Sequence, residues 1–128
     1  MDKALGCGVI IKDYFKNVLI IQKKVKKNQP KLWQLVYRNI KGKESEDKCV
    51  HRAVKEELKV LLFNASSFEN IKVCDDEQHL KFYTGELQEK IAPHDDIVDY
   101  KWINKSNMDN YEFIPEHKAI LESFFEMK

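Results

Sequence analysis

The apolar residues of this chain follow two periods. Residues 4–11 and 18–22 are short runs rich in valine and isoleucine, the pattern of buried strands. The polar stretch between them, residues 13–17, predicts a turn, so the two runs read as a hairpin. Gly6 and Gly8 in the first run permit close backbone approach. Residues 32–37 form a short strand anchored by Trp33, after a basic loop over residues 23–31. A polar connector, residues 39–44, leads into the one strongly helical segment, residues 45–59. There Val50, Val54, Leu58 and Leu61 recur at helical spacing as a core stripe, with Lys48, Lys55 and Lys59 on the opposite side. Ser45 is its expected N-cap, and Glu46 and Asp47 lie in the first turn, where acids favour the macrodipole.

Residues 67–74 and 79–87 read as an antiparallel pair joined around residues 75–78. A further strand, residues 98–103, is centred on Trp102, and residues 105–111 are a polar turn or short helix. A last helix opens at Pro115, with Ala119, Ile120, Phe124 and Met127 as its apolar side. Strands, a helix, more strands and a final helix predict an α/β domain, a mixed sheet with helices on its faces. The 128 residues suit one domain, 1–128.

Composition narrows the class. Hydrophobic residues at 43% and charged residues at 34% describe a globular chain rather than a disordered one. No apolar run approaches the ~20 residues of a membrane span, and the N-terminus lacks a secretory pattern. Cys7, Cys49 and Cys74 are far apart and form no Cys-x-x-Cys pair, which points to reduced packing thiols in a cytoplasmic protein. The net charge of +1 hides an asymmetry. Residues 1–43 carry eleven Lys/Arg against two Asp, and residues 44–128 carry eleven Lys/Arg against nineteen Asp/Glu. A basic third set against an acidic remainder suits an anionic ligand held partly through metal ions. The basic residues sit mainly in one loop with no recognition motif, so no nucleic-acid partner is implied, and no membrane partner either.

On the central helix, positions 53, 56 and 57 share one side, and they hold Ala53, Glu56 and Glu57. Two adjacent carboxylates beside the core stripe form a pair that can hold Mg²⁺, which needs one or two carboxylates when substrate phosphates complete its shell. The stretch from Glu44 through Arg52, Val54, Glu56 and Glu57 to Val60 resembles the Nudix box, G-x5-E-x7-R-E-U-x-E-E-x-G-U with U apolar. Glu44 is followed by seven residues and then Arg52, the box spacing. The paired runs near the start, a basic Lys23 after the second, and Leu32-Trp33-Gln34-Leu35 before the box fit the family order, as do the strand near residue 100 and the C-terminal helix. Three positions depart from it. Arg38 stands at the leading glycine, Lys59 at the trailing glycine, and Ala53 at the glutamate after the arginine. Without a glycine at 59, the helix is not expected to end on an easy left-handed cap.

The resemblance implies a Nudix-type α/β/α sandwich with a catalytic helix and a C-terminal helix. It also implies a Mg²⁺- or Mn²⁺-dependent pyrophosphohydrolase acting on a nucleoside di- or triphosphate or a related diphosphate derivative. In that reading Glu56 and Glu57 ligate the metal and Arg52 orients them. Glu44 pairs with Arg52 or joins the metal shell, and Lys23 and Arg38 hold phosphate. In the family the residue at 53 is a metal ligand and, in some members, the general base. Its replacement is expected from the loop 92–96, with Asp96 first and His94 and Asp95 behind it. The alternative is a catalytically inactive Nudix fold that binds a nucleotide or a protein. A homodimer is a family-level expectation.

Overall fold

The computed structural model describes residues 4–72 and 79–126. Two sheets lie between two helices. The first is mixed and is formed by β1 (Ala4–Ile11), β4 (Val36–Asn39), β5 (Phe63–Lys72) and β6 (His79–Glu86). Its strand order is β4-β1-β6-β5, and β1 runs parallel to β6 and antiparallel to β4. The second, in the order β3-β2-β7, contains β2 (Val18–Lys23), β3 (Trp33–Gln34) and β7 (Ile97–Ile103), all antiparallel. Helix α1 covers Glu46–Leu58, a 3₁₀ turn covers Lys105–Asn110, and helix α2 covers Pro115–Glu126. No described helix is long and apolar enough to cross a membrane.

Alternation along the strands divides the core in two. Cys7, Val9 and Ile11 of β1 and Leu19 and Ile21 of β2 pack with Val50, Ala53, Val54 and Leu58 of α1. The intervening Ile10, Val18 and Ile20 pack with Ile120, Leu121, Phe124 and Phe125 of α2. A strand buried on both faces reads as a continuous apolar run, and β1 and β2 carry such runs for that reason. Gly8 faces the Phe82 ring, where a Cβ would stand 2.5 Å from a ring carbon.

The structure departs from the sequence expectation at several points. Residues 4–11 and 18–22 are not a hairpin. They share a single isolated bridge, Lys12 to Val18, and then diverge into different sheets. Residues 32–37 are not one strand either, because the chain changes sheet at the buried Leu35, leaving β3 in one and β4 in the other. Leu61 lies beyond the end of α1 and is exposed, and Ala119 is exposed while Leu121 and Phe125 take the apolar side of α2. Trp102 is partly exposed, unlike the buried Trp33, Phe82 and Tyr83. Cys74, Met127 and the junction at 75–78 lie outside the described residues. Burial pushes the Cys7 and Cys49 thiols up, which suits packing residues.

His117 ties α2 to the sheet switch. Its Nδ1 accepts a hydrogen bond from the Leu35 N–H at 2.9 Å, and Tyr37 and Phe82 pack edge-on against its ring. Burial holds its pKa down at about 4, against 6.5 for an ordinary histidine. Between those values the unfolded chain binds a proton that the folded chain refuses, so stability falls as pH drops from about 6.5 to about 4. The full loss is about 3 kcal/mol, of which about 2 kcal/mol is reached by pH 5. Urea denaturation at pH 7.5 and pH 5.0 checks this. The difference is expected in the native chain and largely absent in His117→Asn, which keeps an acceptor for Leu35.

Candidate active site

Helix α1 is capped at both ends. The Ser45 side chain accepts from the Lys48 N–H at 3.1 Å, a cap worth about 1 kcal/mol. At the other end Lys59 does adopt the left-handed conformation, φ 59°, and its N–H reaches the Lys55 carbonyl. The left-handed cap expected to be less easy without a glycine is formed all the same by lysine. The geometry is open to any residue at a modest cost, and a glycine only lowers it.

The last carbonyls of a helix need partners from elsewhere. Here the loop 92–96 supplies them: the Ala92 N–H donates to Leu58 O at 2.9 Å and the His94 N–H to Glu57 O at 2.7 Å. That tether lays the loop across the end of α1 and brings Asp96 to Lys23, at 3.4 Å. The Lys24 N–H to Asp96 O bond, 2.8 Å, fixes the same junction from β2. His94 Nδ1 stands 2.7 Å from Asp96 Oδ1. Burial raises the Asp96 pKa, but the His94 hydrogen bond and the Lys23 charge outweigh it and leave the carboxyl below its usual range.

Two ionic groups lie along one side of α1. In the first, Arg52 grips both oxygens of Glu44, at 2.8 and 2.9 Å, and also donates to Glu56 Oε1 at 3.0 Å and Asn39 O at 2.8 Å. The hydrogen bonds from Arg52 draw the Glu44 pKa down to about 2. A bidentate guanidinium fork of this kind fixes direction as well as charge. In the second group Glu57 is fully buried, and its Oε2 pairs with Lys23 Nζ and, at 3.0 Å, with Arg38 Nε. Arg38 also approaches Glu56 Oε1, at 3.5 Å. Glu57 Oε1 has no hydrogen-bond partner among the described residues.

Backbone contacts set these positions. Lys23 closes β2 opposite Ile97, and Arg38 lies on β4 opposite Cys7. The strands β1 and β4 approach so closely that a Cβ at Gly6 would stand 2.6 Å from the Arg38 carbonyl oxygen. Lys23 and Arg38, with Gln34, Tyr37 and Asn39, line a cleft beside the carboxylates. Ala53, one turn before Glu57, is buried in the core against α1 neighbours.

No protein-family model and no curated protein matches the sequence. Solved structures do match the whole architecture. A MutT structure from a study of the Aliivibrio salmonicida and Vibrio cholerae proteins superposes with a TM-score of 0.83 over 98% of this chain and 100% of that one, at 12% identity. A MutT Nudix hydrolase of Burkholderia pseudomallei gives 0.76 over 95% and 97%, at 17% identity. The Nudix domain of NrtR from Shewanella oneidensis, solved with ADP-ribose, gives 0.76 over 98% and 88%, at 19% identity. The fold is the Nudix fold.

Within that Nudix fold, the residues singled out from sequence fall into one neighbourhood. Glu56, Glu57, Lys23, Arg38 and Asp96 are linked by direct ion pairs, and Arg52 joins Glu44 to Glu56. Asp95 makes no contact with them that the structure describes. Sequence reasoning gave no site role to the cleft residues Gln34, Tyr37 and Asn39; Tyr37 and Asn39 flank Arg38, and Gln34 lies in the short strand before the box. The donor set suits a hard divalent cation. It consists of carboxylate oxygens, one of them buried and unpartnered, and four acids (Glu44, Glu56, Glu57, Asp96) face three basic side chains, Lys23, Arg38 and Arg52. Yet among the described residues no three metal-binding side chains stand ready-made together. The acids are strung around Lys23, Arg38 and Arg52 instead.

Proposed function

We propose that this chain is a divalent-metal-dependent pyrophosphohydrolase acting on a nucleoside diphosphate derivative, working in the cytoplasm. The observation that supports it most is the meeting of Glu56, Glu57 and Asp96 with Lys23 and Arg38 beside one open cleft. Glu56 and Glu57 would hold Mg²⁺ or Mn²⁺. When bound, such an ion neutralises phosphate oxygens and lowers the pKa of a coordinated water. Arg52 positions Glu56 and is itself anchored by both oxygens of Glu44. Lys23 and Arg38 bind the diphosphate, with Arg38 offering a planar fork to its oxygens. Asp96 accepts a proton from the attacking water, taking the part that Ala53 cannot play. Water adds to one phosphorus, the P–O–P linkage opens, and two phosphate monoesters leave.

Phosphoryl transfer depends mostly on positioning and charge stabilisation, so an altered box retains the means to run it slowly. The Nudix neighbour that holds ADP-ribose suggests the ligand class to try first. A second reading, a nucleotide-binding Nudix domain without turnover, is favoured by one feature: Ala53 is sealed in the core where the family places a glutamate. Product release from ADP-ribose, ADP, dGTP and a nucleotide sugar, with Mg²⁺, Mn²⁺ or EDTA, tests both. Metal-dependent products are expected. Binding of the same ligands with no product under any metal would overturn the hydrolase and leave the binding domain.

A further inference from the structure

We infer that Lys23 and Arg38 are resident counter-cations of the carboxylate site, and that metal and diphosphate enter it by exchange with them, together rather than separately. The inference rests on the functional reading above and concerns how that site loads. Both side chains converge on the same oxygen, Glu57 Oε2, which is fully buried. From there Arg38 reaches on to Glu56 and Lys23 to Asp96, so two cations bridge the two acids that would hold the metal and the one that would take the proton. A divalent ion at Glu57 therefore meets two positive groups already in place, and a diphosphate alone meets three carboxylates. Each ligand by itself is opposed by like charge.

The opposition vanishes when both arrive. A dianionic diphosphate and a divalent cation leave the net charge of the site unchanged, whereas either alone shifts it by two. Lys23 and Arg38 are also the side chains able to move. They keep 23% and 32% exposure and line the cleft, whereas Arg52 is fastened by bonds to Glu44, Glu56 and Asn39. Swinging onto phosphate oxygens, they release Glu56 and Glu57 in the same step. Arg38 sits where the Nudix pattern carries a glycine, so this arrangement belongs to the present sequence. Linkage then demands reciprocity: nucleotide tightens metal binding by the factor by which metal tightens nucleotide.

The test is Mn²⁺ affinity read from the electron paramagnetic resonance signal of the free ion, with no catalysis involved. The native chain, Arg38→Gln, Lys23→Gln and, as a charge control, Lys55→Gln are titrated alone and with saturating α,β-methylene-ADP, corrected for Mn²⁺ held by the nucleotide itself. Lys55 is exposed on α1 and forms no side-chain ion pair among the described residues. Each site variant leaves Glu57 one of its two partners, and a thermal melt confirms folding. Without nucleotide, Arg38→Gln and Lys23→Gln are expected to bind Mn²⁺ about tenfold tighter than the native chain, and Lys55→Gln no more than about twofold tighter. The native chain should gain about tenfold from the nucleotide, and the two variants clearly less. Site variants that bind no tighter than Lys55→Gln, or a native affinity indifferent to nucleotide, would overturn the exchange while leaving a metal site standing. Absence of Mn²⁺ binding in every form, with and without nucleotide, would instead overturn the functional reading itself.

Discussion

Glu57→Gln is expected to lower turnover by about 10²–10³-fold, because a ligand to the metal contributes several kcal/mol of transition-state charge stabilisation. The same change acts on the fold. Glu57 is the buried acceptor for Lys23 and Arg38, and an amide leaves both cations facing a neutral group. Stripping one partner from a fully buried pair costs about 3–5 kcal/mol. Lys23 and Arg38 are each partly solvated and retain Asp96 and Glu56 as partners, so the expected loss is smaller, about 2 kcal/mol. Initial rates beside urea melts separate the two effects. A variant of native stability and undiminished metal-dependent turnover would remove Glu57 from the site.

Ala53→Glu is expected to behave in opposite ways with and without metal. The position is fully buried among Cys49, Val50, Val54 and Leu58, and Glu57 follows one turn later. In EDTA a second carboxylate there is an unpaired buried charge beside an existing one. It should cost about 3 kcal/mol or more, a fall in melting temperature on the order of 10 °C. With Mn²⁺ and a diphosphate the added oxygen gains a partner, and binding to the folded state recovers stability by mass action. Turnover should then exceed that of the native chain, since a third carboxylate is available for metal binding or proton transfer. Melting curves in EDTA and in Mn²⁺ plus nucleotide, run beside rates, report on both. A variant destabilised equally in each condition would mean that residue 53 faces only the core.

Period and spacing made much of this molecule legible. The helical stripe, the Ser45 cap and the spacing from Glu44 to Arg52 were local signals, and local signals survive folding. What the sequence concealed was tertiary. A turn-bounded pair of apolar runs reads as a hairpin whether its strands stay together or part, and here β1 and β2 part after one bridge into different sheets, each buried on both faces. The change of sheet at Leu35 has no turn residue to announce it. Leu61 continued the helical period, but α1 had already ended at Leu58.

The site shows the same division. Glu56 and Glu57 were visible as a pair, yet their inequality was not. Glu57 is buried and receives Lys23 and Arg38, while Glu56 stays partly exposed and shares Arg52 with Glu44. Asp96 was a candidate from loop position alone. Its place comes from backbone bonds between residues 92 and 94 and the end of α1, which no side-chain motif encodes. Arg38 read in the sequence as a lost glycine and a holder of phosphate, and in the fold it pairs with both glutamates.

The central claim is that Glu56 and Glu57 receive a divalent ion when a diphosphate occupies the cleft beside Lys23 and Arg38. A crystal of the native chain grown with Mn²⁺ and α,β-methylene-ADP, with data collected at the manganese edge, tests it most directly. The account predicts an anomalous peak bonded to Glu56 and Glu57, with Lys23 and Arg38 moved onto phosphate oxygens. Nucleotide seated in the cleft without manganese, and Lys23 and Arg38 still on Glu57, would contradict it.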